Sequence, residues 1–340
     1  MQAVILVGGM GTRLRPLTYE TPKQMLPLVG VPMIECALEN LARHGVTDVV
    51  LSLGYLPDQF IAAYPDDVIA GINVTYAVEP EPLDTAGAIR YAAFSTGITD
   101  TFVVVNGDVV TDLNVTALLD FHRRHDALGT IALHPVVDPS LFGVVSTTAD
   151  GRVLAFVEKP PREEAPTNLI NAGTYVFEPA VLDRIAPSGR VSVERETFPS
   201  LAADGQLYAM ADAAYWLDTG TPHAYLQANV DILKGRDGRN VASIVDGSWA
   251  HATSRVSESA TLVNAVIDRG CRVGPGAIVE RAVLLPGAVV EAGAEVRWSI
   301  LGPDAVVGEY AQLGPTCVVG ANERVAAGSV LRGDVRLGGV

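Results

Sequence analysis

Apolar residues recur at intervals of six through the last third of the chain: Ile267, Val273, Val279 and Leu285, then Leu301, Val307, Leu313, Val319, Val325 and Leu331. A period of six is neither the 3.6 of a helix nor the two of a half-exposed strand. It is the spacing of a chain that winds in stacked coils of short strands, with a corner after each. Glycine directly follows the periodic residue in Val273-Gly274, Val307-Gly308, Leu313-Gly314 and Val319-Gly320, where a corner leaves little room for a side chain. The alternative, a β-sandwich, calls for hairpin turns and longer alternating strands, and the stretch fits it less well. The expectation is a parallel β-helix of hexapeptide repeats over residues 236–340. It follows a polar, glycine-containing hinge, Lys234-Gly235-Arg236-Asp237-Gly238-Arg239, of the kind that separates domains.

The first 235 residues have a different rhythm, in which short β-branched runs alternate with stretches of helical period. Ala3 to Val7, Val49 to Leu53, Val74 to Val78 and Phe102 to Val105 read as buried strands. Helices are predicted over Pro32 to Arg43, where Met33, Ile34, Ala37, Leu38 and Leu41 form one apolar face, from about Val115 to Arg124, and from Pro222 to Leu233. This pattern predicts an α/β domain with a mostly parallel sheet, and ligands in such sheets bind at the carboxyl ends of the strands. The residues that follow those ends include Gly8, Gly54, Glu79 and Asn106-Gly107-Asp108.

The chain has 39 acidic and 24 basic residues, a net charge of −15, which argues against non-specific binding to nucleic acid or to an anionic membrane. A phosphate-bearing ligand therefore needs a local basic site. The sequence supplies one after the first strand: Gly8-Gly9-Met10-Gly11-Thr12-Arg13-Leu14-Arg15-Pro16-Leu17-Thr18, then Pro22-Lys23. Three glycines let backbone N–H groups approach an anion, and Arg13, Arg15 and Lys23 bring positive charge. A Walker loop would need Gly-Lys-Ser/Thr, and a dinucleotide fingerprint would need Gly or Ala at Leu14; neither is present. No run of apolar residues reaches the length of a membrane span, and the N-terminus lacks the apolar region of a signal peptide. Cys36, Cys271 and Cys317 are odd in number and far apart, which suits reduced, packed thiols in the cytoplasm.

The string from Val7 to Lys23 resembles the opening motif of the sugar-1-phosphate nucleotidyltransferases. Further matching pieces follow in the family's order: Glu79-Pro80-Glu81-Pro82-Leu83 with Thr85-Ala86-Gly87; Asn106-Gly107-Asp108; Phe156-Val157-Glu158-Lys159-Pro160; Asn171-Ala172-Gly173-Thr174-Tyr175; and Trp216-Leu217-Asp218-Thr219-Gly220-Thr221-Pro222. Within the family the sequence is most similar to the bacterial mannose-1-phosphate guanylyltransferase branch, through Val191 to Glu196 and Tyr215-Trp216 as well. The resemblance implies a Rossmann-like catalytic domain, residues 1–235, with a mixed, mostly parallel sheet. It also implies that the β-helix is left-handed; because stacked repeats leave terminal coils and flat faces that partners can cover, the β-helix is expected to serve packing and homo-oligomerisation.

The implied reaction is attack by a sugar 1-phosphate oxygen on the α-phosphorus of a nucleoside triphosphate, favoured as GTP with mannose 1-phosphate. Thymidylyl or uridylyl transfer to glucose 1-phosphate, guanylyl transfer to a cyclitol phosphate and a silent regulatory homologue are the alternatives. By the same resemblance Leu6, Gly8, Gly9, Gly11, Thr12, Arg13, Glu79, Leu83, Thr85, Gly87, Gly107 and Asp108 bind the nucleotide. Gly143, Glu158, Lys159 and Asn171 bind the sugar phosphate, and Arg13, Lys23, Asp108 and Asp218 are catalytic. Asp108 and Asp218 also match the family's metal-binding aspartates, whose hard oxygens suit Mg²⁺. Asp84 departs from the guanylyl branch, which usually has Gly there. Two further segments read as structural: His122-Arg123-Arg124-His125 as a solvated helix end, and Glu194-Arg195-Glu196 as surface ion pairs at a helix start, with a family-like role near the sugar site as the alternative for the latter.

Overall fold

The computed structural model describes residues 1–339. The chain divides into two compact units: Met1–Gly9 with Ile34–Trp216, and Met10–Met33 with the chain from Leu217 onward.

The first unit is built on a ten-stranded mixed sheet. Its centre is formed by β1 (Gln2–Leu6), β2 (Asp48–Leu53), β3 (Ile72–Val78) and β4 (Phe102–Asn106). These run parallel, with β1 between β2 and β4 and with β3 beyond β2. The expected strands are thus present, shifted by a residue or two at their ends. Ala3, Val4 and Ile5 are fully buried, as a strand covered on both faces requires. Beyond β4 the sheet turns antiparallel, through β5 (Gly129–Pro135), β6 (Gly143–Thr147), β7 (Val153–Glu158) and β8 (Leu169–Phe177). Val4, Val104, Tyr175, Phe177 and Phe198 lie in one buried core cluster. Because β2 and β3 extend the sheet on one side of β1 while β4 lies on the other, the strand order reverses at the β1–β4 crevice, where open α/β sheets place their ligands.

The helices fall where the periodicity puts them: Met33–Arg43, Val115–His125 and Pro222–Leu233. Side chains cap two of them. Asn114 accepts from the Ala117 amide at 3.0 Å, and Thr221 accepts from the Ala224 amide with Pro222 in the first turn. The basic-flanked histidines are not a solvated helix end. His122 is 1% exposed, its ring nitrogens 2.8 Å from the Thr130 hydroxyl and 3.1 Å from a Glu178 carboxylate oxygen, and the His125 ring packs between Phe121 and Tyr208.

The second unit carries the β-helix, in which three parallel sheets of two- and three-residue strands stack coil upon coil. Its repeat is not a strict multiple of six. Ile267 pairs with Leu284 and Leu284 with Leu301, steps of seventeen, and only then does Leu301 pair with Val319, a step of eighteen. Three early coils therefore run six, six and five, the first of them from Ala250 to Ile267, so Leu284 rather than Leu285 is the stacked residue there. A single-residue deletion in a corner is invisible to a fixed-period reading because Leu285 is itself buried. Two positions before the stacked residues from Ile267 to Val319 is a second buried layer of small side chains: Ala265, Cys271, Ala277, Ala282, Ala288, Ala294, Ser299, Ala305, Ala311 and Cys317. Two of the three cysteines are accounted for by this layer. Burial pushes the Cys271 thiol up to about 12, which leaves it inert.

One of the three sheets is also covered on its outer side. Val266, Val283, Ile300 and Val318, the outward residues of successive coils, are at most 2% exposed, whereas Arg272 and Arg324 on a neighbouring sheet are exposed. Within this unit Trp298 stacks on His223, in the helix Pro222–Leu233, at 5.6 Å, and the Trp249 ring fills the space beside Gly30 that a Cβ would need. The Val29 amide donates to Asn229 Oδ1 at 2.9 Å, and the Tyr225 hydroxyl donates to the Pro27 carbonyl. The segment Met10–Met33 is held in this unit by such contacts.

Candidate active site

In the first unit the nucleotide-binding candidates gather at the carboxyl ends of the parallel strands. Leu6 ends β1, and its carbonyl accepts from the Gly107 amide at 3.0 Å, which ties the turn after β4 to the neighbouring strand. A Cβ at Gly107 would stand 2.7 Å from Val7 Cγ1 and 3.0 Å from the Leu6 oxygen, so only glycine lets this turn close, and Asp108 follows at the strand end. At Gly8 a Cβ would stand 3.1 Å from Glu79 Oε1, whereas at Gly9 it would meet nothing within 4 Å. Packing therefore explains Gly8, whereas Gly9 is exposed with open space beside it.

Glu79, just past β3, organises the next turn. It accepts from the Ser52 hydroxyl at 3.2 Å and from the Leu83 amide at 3.1 Å. Asp84 then opens the helix Asp84–Thr96 with φ +63°, a left-handed conformation that favours glycine and that aspartate tolerates better than most residues. Its carboxylate accepts from the Thr85 amide at 2.8 Å, so the charge is turned onto local backbone. Gly87 lies close under Leu83 and the Gly189 carbonyl.

The sugar-phosphate candidates collect around the hydroxyl of Tyr175, a buried residue that the motifs contain but to which they give no role. Asn171 Nδ2 donates to that hydroxyl at 3.0 Å, while its Oδ1 accepts from the Gly173 amide. Burial first, and then the nearby Glu194 and Glu158 carboxylates, push the Tyr175 phenol well above its usual range, against hydrogen bonds from Asn171 and Asn106. Gly143 faces Glu158 across the β6–β7 pair, and a Cβ there would fall on the Phe156 ring and 3.0 Å from Glu158 Oε2. Lys159 Nζ lies 3.2 Å from Glu158 Oε1, on a side chain 61% exposed.

Glu194 belongs to this group and not to a set of surface ion pairs. Its carboxylate accepts from the Thr85 and Ser192 hydroxyls, each at 2.8 Å, and Glu196 accepts from the Ser192 amide at 3.0 Å. The Thr85 hydroxyl in turn accepts from the Val193 amide at 2.8 Å, so the turn after Glu79 and the segment Ser192–Glu196 share one hydrogen-bond chain. The sequence signal was Ser192-x-Glu194, a hydroxyl two residues before a carboxylate, which does not announce a distant partner.

The second unit holds the remaining cations. Gly11, at φ +60°, turns the chain, and the Thr18 hydroxyl donates to its carbonyl at 2.9 Å. Thr12 begins a short 3-10 turn that carries Arg13. Asp218 lies 3.8 Å from Arg13 Nη2 and 3.6 Å from Lys23 Nζ, and it accepts from the Gly220 amide at 2.7 Å. A Cβ at Gly220 would occupy the place of the Arg13 guanidinium. Lys23 is only 4% exposed, and such burial is tolerable because Asp218 lies beside it.

Among the described residues no three His, Cys, Asp or Glu side chains gather as a protein-only metal cluster would. Asp108 in the first unit and Asp218 in the second each present hard carboxylate oxygens, the donor type that suits a divalent ion taking few protein ligands. No helix among these residues is long and apolar enough to cross a membrane.

The family model described as Nucleotidyl transferase matches residues 2–235, and the one described as GMPPB C-terminal domain matches residues 244–337. A mannose-1-phosphate guanylyltransferase of Mycobacterium tuberculosis is 42% identical over 286 residues, 81% of this chain and 77% of that protein. A probable mannose-1-phosphate guanylyltransferase 1 of rice is 39% identical over 82% of this chain and 78% of its own. For the mannose-1-phosphate guanylyltransferase catalytic subunit beta of Dictyostelium discoideum the match is 42% identical and spans 63% of that protein, less than two thirds. Among solved structures, HddC from Yersinia pseudotuberculosis is 30% identical, with a TM-score of 0.59, over 68% of this chain and 99% of its own. From the strand-end glycines to the paired cations, the chain belongs to the nucleotidyl transferase family.

Proposed function

We propose that the protein transfers a guanylyl group from GTP to mannose 1-phosphate, giving GDP-mannose and pyrophosphate. Residues 1–235 would act as the catalytic domain and residues 236–340 as a β-helix domain that packs and homo-oligomerises in the cytoplasm. The observation that carries the reading is the glycine-lined crevice between β1 and β4, where open backbone at Gly9 and a sterically enforced Gly107 turn precede Asp108. The names of the relatives supply the base and the sugar.

A sugar 1-phosphate is already anionic at neutral pH, so the site needs no general base and no covalent intermediate. Catalysis reduces to holding two polyanions in line and offsetting their charge. Arg13 and Lys23 would hold the departing pyrophosphate, and Lys159 the phosphate of the sugar. Glu158 and Asn171 would accept and donate to vicinal hydroxyls, rejecting sugars whose hydroxyls point elsewhere. Asp108 and Asp218 would hold Mg²⁺, which supplies further neutralisation of phosphate charge when bound. Asp84 does not exclude guanine on this reading, because its left-handed backbone accounts for the glycine of the guanylyl branch and its carboxylate is occupied by the Thr85 amide.

The test is pyrophosphate release with four nucleoside triphosphates crossed against mannose, glucose and other sugar 1-phosphates, with and without Mg²⁺. Release with GTP and mannose 1-phosphate is expected. A dTTP or UTP preference overturns the base, and a glucose 1-phosphate preference overturns the sugar. In the same assay Asp218→Asn is expected to lower kcat by two orders of magnitude or more. A near-normal rate would remove Asp218 from the site.

A further inference from the structure

The last coil of the β-helix reaches the cation-bearing segment of its own unit. Arg336, in the strand Arg336–Leu337, donates from one guanidinium nitrogen to two main-chain carbonyls, that of Arg13 at 3.2 Å and that of Arg15 at 3.1 Å. Its Nε is held 2.8 Å from Asp334 Oδ1, which orients the fork. One coil earlier, Gly320 sits against Pro16 so closely that a Cβ there would stand 3.1 Å from the proline ring. Arg13, Arg15, Tyr19 and Arg336 line one cleft, in which the Arg15 guanidinium lies 5.0 Å over the Tyr19 ring.

The two accepting carbonyls flank Leu14, one inside the short turn Thr12–Leu14 and one at its C-terminal cap, and the turn's own closing bond is the Arg15 amide to the Thr12 carbonyl at 3.3 Å. A three-residue turn of this type has poor hydrogen-bond geometry and little intrinsic stability. Its end groups are satisfied by an external cation. That cation does not touch the Arg13 side chain; it fixes the backbone from which the side chain projects.

We propose that Arg336 is a positioning residue for the triphosphate-binding segment: by holding the Arg13 and Arg15 carbonyls it sets the direction in which the Arg13 guanidinium meets Asp218 and the phosphates. The proposal rests on the reading of Arg13 as a pyrophosphate ligand. It gives the terminal coil a part in the chemistry besides packing. Lysine is not an equivalent, because a single ammonium on a flexible stem cannot bond Asp334 and both carbonyls in one plane.

The experiment compares the full-length wild type with Arg336→Ala, Arg336→Lys and, as a control on an ion pair at the solvent face of the β-helix, Arg324→Ala, in both reaction directions. The expected result is a five- to tenfold rise in KM for GTP in the forward direction and for pyrophosphate in the reverse. KM for the two sugar substrates should stay unchanged, Arg336→Lys should recover part of the loss, and Arg324→Ala should match the wild type. A fall in Tm with unchanged KM values overturns the proposal, as does an equal effect on all four substrates. If Arg336→Ala does not fold, Arg336→Lys alone decides by the same contrast. A wild type that releases no pyrophosphate from any nucleoside triphosphate would refute the functional reading itself. In that event direct titration of wild type and Arg336→Lys with pyrophosphate separates the two ideas: equal affinities overturn the positioning role, and weaker binding by the variant upholds it.

Discussion

Glycine has two physical meanings in this crevice, and they predict opposite experiments. At Gly107 the missing side chain is demanded by protein atoms, with Val7 and the Leu6 carbonyl inside contact distance of any Cβ. Gly107→Ala is therefore expected to destabilise the fold by about 1–3 kcal/mol through overpacking, seen as a lower midpoint in urea unfolding. At Gly9 nothing in the protein lies within 4 Å of a Cβ. Gly9→Ala should leave the unfolding midpoint unchanged and raise KM for GTP roughly tenfold, about 1.4 kcal/mol of lost binding. Equal losses of stability in the two variants would remove the distinction. The sequence shows both residues as glycines just past the end of a strand, and only the neighbours separate them. Tyr175 and Glu194 illustrate the same limit, since each acts through partners that no local spacing brings together.

At the scale of elements, the helix Val115–His125 carries its histidine inward, and it is one of three sites where burial dominates an imidazole. His44, His122 and His134 are all pushed below their usual range, with desolvation the first cause in each. At His122, Glu178 pulls the other way, with Asp126, while Arg123 adds to the depression. A histidine whose folded pKa lies below its unfolded value contributes full stability above about pH 6.5, and that contribution is lost as pH falls through 6.5 toward the folded pKa. Tm is accordingly expected to decline between pH 7.5 and 5.5, before the carboxylates titrate. His122→Asn should lower Tm at pH 7.5 and flatten the decline, and an unchanged slope would place its origin elsewhere. The element itself was legible in the sequence, as a helix from about Val115 to Arg124. The inward turn of His122 was not, because a histidine ahead of two arginines has the same local pattern whether or not a Thr130 and a Glu178 wait on the next strand and beyond.

For the molecule as a whole, the β-helix has three outer faces with different fates. The face bearing Val266, Val283, Ile300 and Val318 is covered, while the face bearing Val306 is not fully so. Ile300→Lys would bury a charge without a partner and should cost several kcal/mol, enough to lower Tm by many degrees or to prevent folding. Val306→Lys, at an outward position of a neighbouring sheet, should be tolerated within about 0.5 kcal/mol. Comparable Tm values for the two variants would show that the first face is open in solution. The net charge of −15 belongs to the same scale: acidic residues outnumber basic ones 39 to 24, and a mobility-shift assay with duplex DNA at physiological salt is expected to show no complex.

What the sequence alone determined are the features written in short-range order. The parallel strands from Ala3, Val49, Val74 and Phe102, the helices at their periodic faces, the coiled tail and the motif-borne candidate residues all depend on neighbours within a few positions, where sterics and burial period leave a direct trace. The tertiary structure alone decided the seventeen-residue coils, the closeness of Glu194 to Thr85, the burial of His122 and the grip of Arg336 on the Arg13 and Arg15 carbonyls. Each of these depends on contacts between residues far apart along the chain, or on a corner shortened by one buried residue. In neither case does the energy depend on what stands next in sequence, so no local pattern records it.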